Sequence, residues 1–308
     1  MGRRGKGRRD RVDGILLLSK PAGLSSNQAL QRVKYRLNAE KAGHTGSLDP
    51  AATGMLPLCF GEATKVSAFL LDADKAYRVV ARLGRRTDSG DATGAVVEEA
   101  DVPALSEDDW CDVLASFLGE TTQIPPMYSA LKKDGKRLYE LARKGEEVER
   151  EPRPVHISQI ELLELAGRRL VFRVRCSKGT YVRTLVEDLA AKAGTVAYTH
   201  SLHREAVGEF EELDSVDWVT ANSQEPQALK GLLLPADRAL RFMPRLDLDG
   251  ADSERFMQGQ AVIGQVEPGL VRLYNASNDF LGVGESDEAG RVSPKRVFRL
   301  PPASAAPV

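Results

Sequence analysis

Asp49 is the only acidic residue in the run Gly43-His44-Thr45-Gly46-Ser47-Leu48-Asp49-Pro50-Ala51-Ala52-Thr53-Gly54-Met55-Leu56-Pro57. Its three glycines permit backbone angles that other residues avoid, and proline fixes the turn that follows. The expected product is a tight loop that holds one carboxylate in a set position. A carboxylate can serve as nucleophile or as general base. Loops carried by rigid scaffolds are where catalytic residues concentrate. Taken alone, the loop still reads as an ordinary turn.

Few other residues compete for chemistry. Cys59, Cys111 and Cys176 are odd in number and far apart, with no disulfide or zinc spacing. His200 and His203 lack an obvious third ligand and read as a satisfied pair, so no metal is expected. Asp88 to Gly94 lacks the spacing of a calcium loop and reads as a polar turn. Arg183 falls in the first turn of an expected helix, a poor electrostatic position for a cation. A solvated arginine is one reading; a carboxylate or phosphate partner from elsewhere is the other.

Positioning these groups requires a mixed scaffold. Gly14 to Leu18 reads as a buried strand, followed by a turn at Ser19 to Gly23. Ser25 with Gln28 fits a capping box, and Ala29, Leu30, Val33 and Leu37 mark one helix face. Glu62 to Leu71 reads as one helix. Alternation puts Tyr77, Val79, Ala81 and Leu83 on one side of a strand, and Leu170, Phe172, Val174 and Cys176 on one side of another. Val182 to Ala193 carries a helical stripe of Val182, Leu185, Val186 and Leu189. Residues 125–153 read as an insertion bounded by prolines. Its Lys132-Lys133-Asp134-Gly135-Lys136-Arg137-Leu138-Tyr139 stretch fits an exposed helical hairpin or a basic lid on a phosphate backbone, the lid being favoured. Residues 219–244 read as a linker. Short strands with Gly, Asn and Asp turns follow, suggesting a small β-barrel-like module.

The 308 residues suffice for a large domain and a small one. No apolar run is long enough to span a bilayer, and the apolar Ile15 to Leu18 run is too short for a signal peptide, so a cytoplasmic protein is expected. The 43 basic and 44 acidic residues nearly cancel. Arg3, Arg4, Lys6, Arg8, Arg9 and Arg11 nonetheless crowd one Gly-rich arm, leaving the body mildly acidic. Nucleic-acid affinity would therefore come from local patches and the arm. The arm should be disordered when free and is either a solvated tail or a phosphate contact.

The Gly43 to Pro57 run closely resembles the catalytic motif of the TruB family of pseudouridine synthases. Further motifs agree in order: Gly14 to Pro21, Gly61 to Lys65, Asp74 to Tyr77, Leu83 to Asp88, Pro126 to Lys132 and Cys176 to Arg183. The resemblance spans nearly the whole chain; its C-terminal part, similar to a PUA-type RNA-binding module, is weaker. It implies an α+β fold: a catalytic domain around a mostly antiparallel sheet flanked by helices, with a small β-rich PUA-like C-terminal domain. The implied organisation is a basic disordered arm at 1–11, a catalytic domain at 12–243 with 125–153 as its thumb-like insertion, and 244–308 as the RNA-binding domain with a short disordered tail.

The implied activity is isomerisation of uridine to pseudouridine in the T loop of tRNA, at position 55, without a guide RNA. On this resemblance Asp49 is the catalytic aspartate, paired with Arg183. Tyr77 stacks on the target base, and His44 packs against the flipped-out loop. Tyr181 and Arg183 line the pocket, Leu202 adds an apolar wall, and Lys20 helps position the first turn. The partner is tRNA, with no DNA, no membrane and a monomer by default. The isomerisation involves no redox change, so no cofactor is implied. Two alternatives stay open: the catalytic subunit of a guide-RNA-dependent pseudouridylase, and a non-catalytic tRNA-binding or folding protein. A carboxylate hydrolase would need a second acid at a defined separation, for which Asp88 and Asp91 are the nearby candidates.

Overall fold

The structure is a computed structural model that describes residues 9–299 except 130, 134 and 143. Most of the expected arm, residues 1–8, and the expected tail, residues 300–308, lie outside the described residues. Residues 9–11 of the arm are docked: Asp10 bridges to Ala39 and pairs with Lys230 at 3.0 Å. The body begins there, slightly earlier than the sequence suggests.

A nine-stranded sheet organises the larger part. Its main path runs Gly14–Lys20, Thr53–Phe60, Ala197–Val207, Lys75–Leu83, Arg169–Cys176, Arg153–Ala166 and Gly119–Gln123. All pairings along this path are antiparallel except Thr53–Gly54 against His203–Arg204. The alternation read from sequence survives: Tyr77, Val79, Ala81, Leu83, Leu170, Phe172, Val174 and Cys176 share one face and one core. That core is closed by helices Glu107–Ala115, through Trp110 and Leu114, and Val182–Lys192, through Leu185, Val186 and Leu189.

Helix Ser26–Arg36 has the expected capping box, with Ser25 and Gln28 satisfying each other's exposed end groups. Ala29, Leu30 and Val33 bury its apolar face against Leu16, Leu18 and Leu58. Residues 62–71 are not one helix. A 3₁₀ turn, Gly61–Lys65, precedes helix Ser67–Asp72, and both pack apolar residues against Ile15 and Met55. Residues 219–244 are not a linker either. Ala221 and Leu229 enter one core, Ala239, Leu240 and Met243 enter another, and Leu234 bridges to Ile15. The polar, Pro-containing composition hid an apolar spacing spread over three short helical turns.

Residues 245–297 form a five-stranded sheet ordered Arg245–Asp247, Gly269–Tyr274, Phe280–Ser286, Arg291–Val297 and Val262–Ile263. The expectation missed its first strand and the helix Gly250–Met257, capped by Asp249. Val283 and Phe298 of this unit enter the core shared with Ile15, Leu17 and Met55. Lys65 Nζ also donates to the Val297 carbonyl at 2.7 Å. The two sheets are thus joined by packed apolar contacts.

Gly54 illustrates how closely the sheet approaches the Asp49 loop. Its φ is +97°, and a Cβ there would lie 2.3 Å from the Arg204 carbonyl oxygen and 2.7 Å from the Arg204 nitrogen. Both neighbours are backbone and cannot rotate away. Gly54→Ala is expected to lower the unfolding free energy by about 3 kcal/mol or more, from left-handed strain plus overpacking. Urea unfolding checks this; an unchanged midpoint would contradict the register.

Candidate active site

The Asp49 loop leaves the short strand Ala42–His44 and returns as strand Thr53–Phe60. Its ends are fixed by pairing, with His44 opposite Leu58. Its middle is pinned by helix Ser26–Arg36. The Ser26 hydroxyl, in a buried residue, accepts from Leu48 N–H at 2.7 Å and donates to the Leu48 carbonyl at 3.1 Å. Leu48 itself enters the main core, so the residue before Asp49 is held by its side chain and its backbone. Gly23 N–H donates to the Pro50 carbonyl at 2.8 Å. Ser26→Ala would orphan both Leu48 backbone groups. It is expected to cost about 2 kcal/mol of stability, measurable by thermal or urea unfolding.

Asp49 projects from this clamp with its side chain 43 % exposed, while Arg183 is 8 % exposed. Arg183 Nε meets Asp49 Oδ2 at 3.0 Å. The same guanidinium donates to the carbonyls of Ser89 and Tyr128, each at 2.8 Å. The unfavourable cation at the helix N-terminus therefore has three acceptors from three separate segments. It joins the loop, the polar turn 88–94 and the root of the 125–153 insertion. The helix start is itself held by Gln123, which accepts from Tyr181 N–H at 3.0 Å and donates to the Tyr181 carbonyl at 3.3 Å.

Tyr77 is buried in the core floor beneath the loop. Burial holds its phenol above the usual range, while Arg204 beside it acts in the opposite direction. Tyr181 is half-buried; burial raises its phenol, and the Ser129 hydroxyl and Arg183 oppose this. Leu202, opposite Val79, packs at the edge of the same core. Tyr77, Tyr181, Arg183 and Leu202 are thus gathered around the Asp49 loop. His44 is half-buried, and its buried Nδ1 has no hydrogen-bond partner among the described residues. Burial, helped by Arg204, keeps its imidazole below the usual range.

Lys20 is 1 % exposed, with Nζ donating to Pro21 and Leu24 carbonyls at 2.8 Å each. Burial pushes its ammonium down to about 8, against the pull of Asp49. Two buried cations escaped the sequence reading. Lys75 donates to the Leu71 carbonyl at 2.6 Å and the Ala73 carbonyl at 2.5 Å, and burial with Arg204 lowers it to about 8. Arg204, the second, is 1 % exposed and donates to the Met55 and Gly46 carbonyls. Of the two histidines read as a pair, His200 is exposed, and His203 bonds Thr53 Oγ1 at 2.7 Å and Glu212 at 2.8 Å. The 125–153 insertion shows the two-residue strands Lys132–Lys133 and Lys136–Arg137, then helix Leu138–Ala142. Its described part is a small β-hairpin with one helical turn, not a helical hairpin.

The arrangement is one accessible carboxylate, oriented by an arginine, above an aromatic and aliphatic floor. The TruB family pseudouridylate synthase N-terminal domain model matches residues 34–182, and the TruB C-terminal pseudouridine synthase II model matches 244–298. The tRNA pseudouridine synthase B of Stutzerimonas stutzeri (strain A1501) is 49 % identical over 298 residues, covering 95 % of this chain and 97 % of that protein. The chain belongs to the TruB family. The TruB relative from Ectopseudomonas mendocina (strain ymp), also a tRNA pseudouridine synthase B, is 50 % identical over 297 residues, covering 94 % of this chain and 96 % of its own. Among solved structures, a chain from a Cbf5–Nop10–Gar1 complex superposes with a TM-score of 0.71 at 26 % identity, covering 93 % of this chain and 85 % of that one. The α+β architecture with its large, mostly antiparallel sheet is therefore the TruB fold. No helix among the described residues is long and apolar enough to cross a membrane.

Proposed function

We infer that this chain isomerises uridine to pseudouridine in tRNA, at position 55 of the T loop, as a stand-alone cytoplasmic enzyme. The reaction breaks the C1′–N1 bond, turns the uracil and forms a C1′–C5 bond. C5 loses its proton and N1 gains one, so no atom and no electron is left over. The observation that carries the reading is the Asp49–Arg183 pair on a clamped loop above Tyr77, in a chain near half identical to tRNA pseudouridine synthases over its length.

Asp49 is the catalytic residue in this reading. Its exposed carboxylate reaches the sugar or the base, and Arg183 holds it in one orientation. A stacked base cannot be turned over, so the target nucleotide must leave its loop. Tyr77 offers an aromatic face that returns roughly 1–3 kcal/mol of stacking. Tyr77, Tyr181 and Leu202 keep water from the severed intermediate, whose hydrolysis would leave an abasic site. His44 stands half-buried at the start of the loop, where the splayed RNA would pass. The 125–153 insertion is the thumb that grips the T arm, and residues 244–308 with the basic arm at 1–11 are further grips, acting on shape and phosphates. The proposed acting unit is a monomer.

The test is purified protein, alone, with an unmodified tRNA transcript, followed by single-nucleotide mapping of pseudouridine. A single new pseudouridine in the T loop, lost on Asp49→Asn, is expected. The likeness to a chain from the Cbf5–Nop10–Gar1 complex supports a second reading, in which this chain works as a subunit of an assembly, the case of the guide-RNA-dependent alternative. Tight tRNA binding without product on the bare transcript would favour it.

A further inference from the structure

Arg204 is 1 % exposed and among the largest fully buried side chains. Removing a guanidinium from water costs several kcal/mol unless it is well paired. Arg204 makes no ion pair among the described residues. Three basic groups lie near it: Lys20, Lys75 and His44 are each held down chiefly by burial, and the Arg204 charge adds to that. An apolar residue of similar volume would serve a purely structural core better. The reason for an arginine must lie in what its fork touches.

The fork touches the Asp49 loop twice. Nε donates to the Met55 carbonyl at 2.7 Å and Nη2 to the Gly46 carbonyl at 3.2 Å. These two residues bracket Asp49 on either side. Gly46 has φ +88°, so its carbonyl direction sets the path into Leu48 and Asp49. Nη1 lies 3.7 Å from where a Gly46 Cβ would stand. In register, Arg204 is opposite Gly54 on one neighbour strand and Tyr77 on the other, with its guanidinium beside the Tyr77 phenol. One side chain therefore connects both limbs of the loop to the residue that forms the floor.

We propose that Arg204 is a positioning residue for the isomerisation, locking the Asp49 loop over Tyr77 through the Gly46 and Met55 carbonyls. The inference rests on Asp49 as the catalytic carboxylate. Arg204 and Arg183 then divide the labour: Arg183 orients the carboxylate from above, and Arg204 fixes the backbone that carries it. A lysine does not reproduce the planar fork, because its compact ammonium lacks the fixed spacing between Nε and Nη2 that meets the Met55 and Gly46 carbonyls.

The experiment compares Arg204→Lys, Arg204→Gln and Arg204→Met with the unaltered enzyme on a tRNA transcript. Single-turnover rate at saturating enzyme, tRNA Kd and thermal midpoint are read for each. Arg204→Lys is expected to fold, to bind tRNA within about threefold, and to lose about 100-fold in single-turnover rate, the scale of a roughly 1 Å misplacement. A purely structural residue would lower the midpoint and leave the rate per folded molecule unchanged. A folded variant with an unaltered rate would overturn the proposal. So would failure of all three variants to fold, since Arg204 would then serve folding alone. Asp49→Asn run beside them separates the two levels: if it stays active, the catalytic reading fails; if it is dead while Arg204→Lys is fully active, only the Arg204 inference fails.

Discussion

Asp49→Asn is expected to lower the rate of pseudouridine formation by at least about 10⁴-fold, a barrier increase of roughly 5.5 kcal/mol. Asparagine keeps the shape and an acceptor for Arg183 Nε, so the loop should stay in place. It removes the nucleophile and base together. The side chain is 43 % exposed, so its loss uncovers no cavity and unfolding free energy should move by less than about 1 kcal/mol. Affinity for tRNA should hold or rise, since a negative charge near phosphates is removed. Single-turnover kinetics with a binding titration on the same preparation tests both halves. Turnover within tenfold of the unaltered enzyme would remove Asp49 from the chemistry.

Arg183→Met carries the second large effect, with a different profile. Asp49 would remain solvated, so the orphaned charge costs little. The loss falls on the Ser89 and Tyr128 carbonyls, which lose their shared donor in a buried place. Unpaired buried carbonyls cost about 1–3 kcal/mol each, so unfolding free energy should fall by about 2–6 kcal/mol. The single-turnover rate should fall by about 10³-fold, because the carboxylate loses its orientation and the insertion its tie to the loop. Arg183→Lys keeps the charge but lacks the fixed fork that spans three separate segments, and its rate should fall between those of Arg183→Met and the unaltered enzyme. Equal rates for lysine and methionine variants would show that geometry matters and charge does not. An Arg183→Met rate near that of the unaltered enzyme would refute the orienting role.

Much of this arrangement was legible in the chain. Glycine spacing and a lone acid in Gly43 to Pro57 are local properties, and they placed Asp49 on a tight loop. The poor fit of Arg183 at a helix start left a solvated side chain or a partner elsewhere; the family resemblance named Asp49 as that partner, and the two lie 3.0 Å apart. Alternation in Lys75–Leu83 and Arg169–Cys176 identified the inward face because regular strands preserve it. Within Ala197–Val207 the alternation is interrupted. Ala197 and Thr199 pair with Leu83 and Ala81 on the inward face, but a bulge at Thr199/Ser201 shifts the parity. Leu202 and Arg204 then turn inward, opposite Val79 and Tyr77, where strict alternation would have put His203.

By itself, then, the sequence determined the family, the loop that carries Asp49, the helix that carries Arg183 and the strands of the floor. The family rests on resemblance over nearly the whole chain; the others follow from short-range spacing and residue type. Only the tertiary structure decided that Arg183 also holds Ser89 and Tyr128, that Ser26 pins Leu48, and that Arg204 and Lys75 are buried cations beside the loop. It also decided that residues 219–244 belong to the cores. The reason is the same in each case. These contacts join residues distant in sequence and depend on strand register, which one bulge can shift and no local pattern encodes.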